Sequence, residues 1–250
     1  MGDVIGSDGT ARVGPVEAAM RDLITEGAHV MRPDAVGGYV GTGPGGWARF
    51  AAHWEELTPD PYAEESGTRR LRRYGHFTYT AGAAELVPEE HETFVQPEDS
   101  NPMYVGVDRH FDPLTDAFAA DPLLTSLVEL LGEVATCLDG TEAWSVKVHP
   151  FRVIASAGST GNPTPEGRHR DGVTLVSSLL VDRSNADGGE SSVFEPDGTM
   201  VLTTVLDEPG TLLLGDDRRT LHEVSPIRPV HTDRPARRDV LVVTLTPAPA

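Results

Sequence analysis

The chain changes texture near residue 140. Before that point apolar residues recur at helical spacing. Val16, Met20, Leu23 and Ile24 predict a helix over 15–26. Trp47, Phe50, Trp54 and Leu57 mark one face of a second helix, where core packing explains the aromatic spacing better than a ligand-binding box does. Asp121 and Pro122 are a good helix start, an N-cap followed by proline at the first helical position. Leu123, Leu127, Leu130, Leu131, Val134 and Leu138 continue that helix, and Gly140 stands just past its end. This longest helix is expected to pack on a sheet. Residues 32–46 carry Pro33, Gly37, Gly38, Gly41, Gly43, Pro44, Gly45 and Gly46 and read as loop. The segment Arg69–Thr80 (RRLRRYGHFTYT) is basic and aromatic and is expected to begin the sheet. After Gly140 come short β-type runs at Trp144–Ala155, Val173–Val181, Ser192–Phe194, Met200–Leu206, Thr211–Leu214 and Val240–Thr246, separated by turn clusters such as SNADGGE, EPDG and DEPG. That punctuation predicts a sandwich or jelly roll, so the fold is read as mainly β with flanking helices. The expected organisation is a single domain. Residues 1–14 lack fixed structure, 15–140 form a helix-rich part with the first strands, and 141–250 form the β core.

Composition narrows the partners. Of 250 residues, 20 are Lys or Arg and 39 are Asp or Glu, a net charge of −19. Such a chain is repelled by phosphate backbones and anionic membrane surfaces, which argues against nucleic acid and membrane partners. An anionic small molecule would need its own local arginine. The single cysteine, Cys137, excludes a disulfide framework and a cysteine-based zinc site, and its apolar helical surroundings predict a buried, inert thiol. Residues 1–13 lack the basic start and apolar run of a signal peptide, and no apolar run approaches the ~20 residues that span a bilayer, so a cytoplasmic chain is expected.

The candidate chemistry lies in three H-x-D tripeptides: His110-Phe111-Asp112, His169-Arg170-Asp171 and His231-Thr232-Asp233. Two histidines and a carboxylate on one face of an octahedron hold non-haem Fe(II) and leave positions open. On a strand, residues i and i+2 point the same way, so an H-x-D at a strand start supplies two of the ligands. His231/Asp233 has no histidine after it and lies in a polar loop. His110/Asp112 runs into Pro113 and a helix. His169/Asp171 leads into a strand, and His222 follows another strand as a third ligand. Arg238 opens the last strand, RDVLVVTL, where a guanidinium suits two-point capture of a carboxylate. Arg237 competes with it, and strand alternation alone does not choose between the two.

The segments PEGRHRDG, LVDRSNADGGES, LDEPGTLLLGDDRRTLHEVSPI and ARRDVLVVTL resemble the bacterial 2-oxoglutarate/Fe(II) dioxygenases that include L-isoleucine 4-hydroxylase. Weaker resemblance extends through WSVKVHPFR, the RHFDPLTDAF segment and RRLRRYGHFTY, so the likeness spans roughly residues 60–250. It implies a double-stranded β-helix, with Fe(II) held by His169, Asp171 and His222. It also implies 2-oxoglutarate paired with Arg238 (rather than Arg237) with help from Thr244, O2 as oxidant, and release of succinate and CO2. Free amino acids are the substrate class implied. A carboxylate at Asp171 argues for hydroxylation, because related halogenases carry a small residue there. Desaturation and ring formation use the same ligands. For the substrate pocket the candidates are Arg73 (or its neighbour Arg72), Tyr74, His149 and Arg152, followed by His76, Phe77, Tyr79 and Glu190. The competing reading is a cupin-like barrel that holds a metal or ligand without O2 chemistry.

Overall fold

The computed structural model of the chain describes residues 14–83, 85–90, 93–94 and 108–249; residues 1–13, expected to lack fixed structure, lie outside the described residues. The helices are α1 (Pro15–Thr25), α2 (Pro33–Val40), α3 (Pro44–Ala52), α4 (Pro61–Glu65), α5 (Asp116–Ala119) and α6 (Pro122–Asp139). The strands are β1 (Ala28–Met31), β2 (Thr58–Pro59), β3 (Arg69–Arg72), β4 (Gly75–Thr80), β5 (Leu86–Pro88), β6 (Ala143–Ala155), β7 (Leu175–Ser184), β8 (Ala186–Gly188), β9 (Glu190–Phe194), β10 (Met200–Val205), β11 (Leu212–Asp216), β12 (Leu221–Val224), β13 (Ile227–Pro229) and β14 (Ala236–Pro247).

Proline sets most of the helix starts. Pro15, Pro33, Pro44, Pro61 and Pro122 all stand in the first turn, where the missing N–H costs nothing. In α6 the Asp121 carboxylate accepts from the Leu123 N–H, and Gly140 closes the helix at φ 78°. Residues 32–46, expected to be loop, are instead mostly helical. Pro33 opens α2 and Gly41, at φ 65°, ends it, while Val36 is fully buried in the core. Packing of that one apolar face outweighs the cost of Gly37 and Gly38. Cys137 also departs from expectation, for it is exposed. It stands one turn after Glu133, and both fall on the solvent side of α6.

A nine-stranded sheet runs in the order β1-β11-β7-β14-β6-β3-β2, with β4 also paired to β6 and β5 to β4. Its spine is the antiparallel pair β14–β6, in register from Ala236↔Ala155 to Pro247↔Trp144. Alternation divides the sheet into two faces. Leu241, Val243 and Leu245, with Trp144, Val146 and Val148, point outward. They join α1, α3 and α6 in the main core through Leu23, Phe50, Leu127 and Leu131. The Trp144 indole N–H also reaches Thr136 Oγ1 on α6 at 3.1 Å. The other face carries Val240 and Val242 of β14 and Leu180 of β7. It is covered by the small sheet β10-β9-β12 through Val193, Val201 and Leu202. The result is the expected mainly-β fold, a jelly-roll core with helices on its outer side, and the space between the two sheets is where the site lies. Among the described residues no helix is long and apolar enough to cross a membrane.

Candidate active site

Among the described residues one group could hold a metal ion: His169, Asp171 and His222, whose ligand atoms all lie within 4.8 Å of one another. The backbone brings the two histidines together. The His169 N–H donates to the His222 carbonyl at 3.0 Å, and the His222 N–H donates back at 2.8 Å. This single antiparallel bridge ties the segment before β7 to β12 and places the two rings 4.4 Å apart. The His169 Nδ1–H faces the Gly167 carbonyl at 2.9 Å, which leaves Nε2 as the ligand atom. The His222 Nε2 lies 3.7 Å from the Asp171 carboxylate. Burial, reinforced by His169 and opposed by Asp171, pushes the His222 imidazole down to about 4, so it is neutral and ready to ligate at ordinary pH.

The H-x-D does not lie on a strand, contrary to the alternation argument. The strand begins at Leu175, and His169–Asp171 belong to the turn before it. A residue that sequence reading missed holds that turn. Asp217, fully buried, accepts N–H groups from Asp171 at 3.1 Å, Gly172 at 2.7 Å and Val173 at 3.0 Å. Gly172 sits at φ 75°, a conformation that glycine adopts without strain. Burial and the adjacent Asp171 charge push the Asp217 carboxyl up to about 6, and the three N–H donors oppose that rise. The available signal was the pair Asp216-Asp217 ending an apolar strand. Glu166 was also missed, and its carboxylate lies 3.4 Å from His169 Nε2.

A cavity of about 130 Å³ extends from His169 and His222 to Arg238, walled by Phe151, Val153, Val176, Val193, Leu213, Val240 and Val242. Arg238 is 1 % exposed, and its Nε and Nη2 have no hydrogen-bond partner. Burial, and Arg183 beside it, push its guanidinium down to about 10. Arg237 points the other way, to Asp182 at 2.8 Å and to Glu55. The structure therefore brings Arg238, and not Arg237, into the site. Unpaired guanidinium donors at one end of an apolar cavity and a His-His-Asp group at the other fit a dicarboxylic keto acid bound beside a metal.

Several pocket candidates belong elsewhere. Thr244 shares a face with Arg238 but stands six residues along β14, about 20 Å at the rise of a strand, and does not line the cavity. It is too far to share a carboxylate with Arg238. Arg152 lies on the outer face, where it donates to Asp239 at 2.7 and 2.8 Å and to Glu55 at 2.8 Å. It is a structural ion pair. Arg73 also turns outward and donates to the carbonyls of Glu56 and Pro113 at 2.7 and 2.8 Å. Phe77 and Tyr79 are buried in the main core. His110 and His231 lie outside the triad.

On the inner face the structure selects Arg70 and Arg72. Arg70 lines the cavity, over the Phe151 ring at 4.9 Å and bonded to Asp60 at 2.8 Å. Arg72 lies between the Phe111 and Phe151 rings, at 3.5 and 4.5 Å, and meets His149 Nδ1 at 2.7 Å. His149 stacks on Tyr74 at 5.1 Å. Burial, with Arg72 and its cationic neighbours, holds the imidazole well below its usual range and hence neutral. His149 and Tyr74 thus form a wall beside Arg72. His76 bonds to Ser145 at 2.8 Å, and Glu190 is exposed.

A family model described as 2OG-Fe dioxygenase matches residues 51–244. The chain belongs to this family. As a 2OG-Fe dioxygenase it is an oxidoreductase that uses Fe(II), 2-oxoglutarate and O2, which displaces the alternative of a barrel without O2 chemistry. It is 25% identical to L-isoleucine-4-hydroxylase of Bacillus thuringiensis over 195 residues, 76% of this chain and 78% of that protein. A crystal structure of a bsmA homolog from Methylobium petroleophilum superposes at TM-score 0.85 with 34% identity, covering 94% of this chain and 96% of that one. The crystal structure of IDO from Bacillus thuringiensis shares the fold at TM-score 0.76 and 18% identity, over 94% of this chain and 100% of its own.

Proposed function

We propose that this dioxygenase hydroxylates an unactivated C–H bond of a free amino acid or a similarly small metabolite. The observation that carries the reading is the small cavity with hydrocarbon walls, its His-His-Asp group beside the apolar surface and Arg238 at the far end. A charged macromolecular surface would not enter such a space, and the part beside the His-His-Asp group that 2-oxoglutarate leaves free suits a compact apolar side chain. Likeness to L-isoleucine-4-hydroxylase supports the amino acid class.

In this reading His169, Asp171 and His222 hold Fe(II), and Arg238 holds the distal carboxylate of 2-oxoglutarate. Iron(II) with 2-oxoglutarate and O2 supplies an oxidant able to take hydrogen from an unactivated C–H bond, with succinate and CO2 as by-products. The chain's own contribution is placement and exclusion of water. The bridge between His169 and His222 fixes two ligands, and the Asp217 carboxylate fixes the third through the backbone of its turn. Val240, Val242 and Phe151 keep water from the reacting carbon. Arg70 and Arg72 offer a cationic end for an α-carboxylate, with the His149–Tyr74 stack as the adjoining wall. Asp171 keeps its position as a carboxylate ligand, which favours hydroxylation over halogen transfer.

The test is to incubate the Fe(II) enzyme with 2-oxoglutarate, O2 and each standard amino acid, reading a 16 Da mass gain and stoichiometric succinate. Succinate formation without a mass gain on any amino acid refutes the substrate class and leaves the dioxygenase assignment standing.

A further inference from the structure

Cross-strand register puts a second arginine beside the first. On β14 and β7 Arg238 pairs directly with Arg183, so the two side chains leave the sheet on the same face. Like charges directly opposite on neighbouring strands repel, and here the repulsion acts where little water screens it. Each guanidinium is nevertheless only partly satisfied. Arg183 Nη2 donates to the Ala186 and Gly188 carbonyls at 2.9 and 2.7 Å, and its buried Nη1 has no partner. Arg238 leaves Nε and Nη2 without partners. Among the described residues no carboxylate lies within ion-pair distance of either group.

Gly189 closes the corner between them. A Cβ there would stand 3.0 Å from Arg183 Nη1, 3.3 Å from Arg238 Cδ and 2.9 Å from Ile227 Cγ2. At φ 68° this glycine lets the turn fold tightly against both arginines. A buried Arg238 and a half-buried Arg183 facing one corner, each with an open buried donor and neither in an ion pair among the described residues, form a seat for an anion from outside the chain. Burial lowers the affinity of both groups for their protons, with Arg183 adding to the effect at Arg238 and the carboxylates of Asp187 and Asp207 opposing it at Arg183.

We propose that Arg183 is a second positioning residue for the co-substrate, acting by its charge alongside Arg238 so that the cavity selects dicarboxylic over monocarboxylic keto acids. Arg238 makes the contact. Arg183 keeps that corner cationic and, through Ala186 and Gly188, holds the turn that carries Gly189. The inference rests on the family's use of 2-oxoglutarate and not on the identity of the oxidised substrate.

The test is calorimetric titration of the Fe(II)-loaded enzyme under argon with 2-oxoglutarate and, separately, with 2-oxobutyrate, which has the same keto acid end and no distal carboxylate. Arg183→Gln is expected to weaken 2-oxoglutarate binding about tenfold, to leave 2-oxobutyrate within about twofold and to leave iron affinity unchanged. Arg183→Lys, which keeps the charge, is expected to recover most of the loss. Equal weakening of both keto acids shows a purely structural role and overturns the proposal, as does an unchanged affinity for 2-oxoglutarate or a Lys variant as weak as the Gln variant. Should Arg183→Gln not fold, Arg183→Lys decides. A loss of 2-oxoglutarate affinity of about tenfold or more in that variant, which keeps the charge, overturns a role by charge.

Discussion

Replacing Asp217 by alanine removes the acceptor for three backbone N–H groups in the turn that carries Asp171. A hydrogen bond to a charged group contributes about 1.5–3 kcal/mol, so three of them set an upper bound of several kcal/mol. Two effects reduce that bound. The Asp217 carboxylate is fully buried, and it faces the Asp171 charge, both of which raise its cost in the folded chain. A net loss of about 3 kcal/mol follows, which for a domain of this size lowers Tm by about 6–12 °C. Asparagine keeps one carbonyl acceptor and is expected to lose roughly half as much. Metal affinity is the more telling measurement. Asp217 lies 3.7 Å from His222 Nδ1 and a loosened turn also misplaces the Asp171 carboxylate, and supporting residues of this kind typically cost 10- to 100-fold in affinity. Differential scanning calorimetry with and without Fe(II), paired with a metal titration, separates the two effects. An Asp217→Ala protein with native iron affinity and a Tm within 2 °C of wild type (about 0.5–1 kcal/mol on the same scale) would show that the turn is held by something else.

His169→Ala and His222→Ala are each expected to abolish succinate formation and to lower Fe(II) binding by at least two orders of magnitude, whereas His231→Ala should retain both; metal titration and turnover check this. Arg238→Ala should raise the KM for 2-oxoglutarate about 10- to 100-fold without loss of iron, and Arg237→Ala should not; a larger defect in Arg237→Ala would mean that the inner and outer faces of β14 are reversed. Arg152→Met removes the hydrogen-bonding partner of buried Asp239, leaving Arg237 at 3.7 Å as its remaining cation, and is expected to cost about 3 kcal/mol in denaturant unfolding, with keto acid affinity of the folded protein unchanged.

Local rules, which act within a few residues, made much of the fold legible in the sequence. Proline at N1 and glycine at C′ bounded α6 to the residue, and apolar runs between turn clusters located β6, β7, β9, β10, β11 and β14. The same reasoning chose His169, Asp171 and His222 from three competing tripeptides, because only one preceded a strand and had a later histidine. What it misjudged depended on which neighbour a residue meets. Whether Arg72 or Arg73, and Phe151 or Arg152, lies on the inner face is a matter of strand register, and alternation is symmetric until the partner strand is known. The glycine-rich stretch 32–46 is largely helical because Val36 finds a buried site, a gain that propensity does not contain. Asp217 holds Asp171 across 46 residues of chain, and Arg183 meets Arg238 across 55. The sequence by itself named the ligand chemistry. The tertiary structure alone decided what supports those ligands, because contacts between distant segments carry no local pattern.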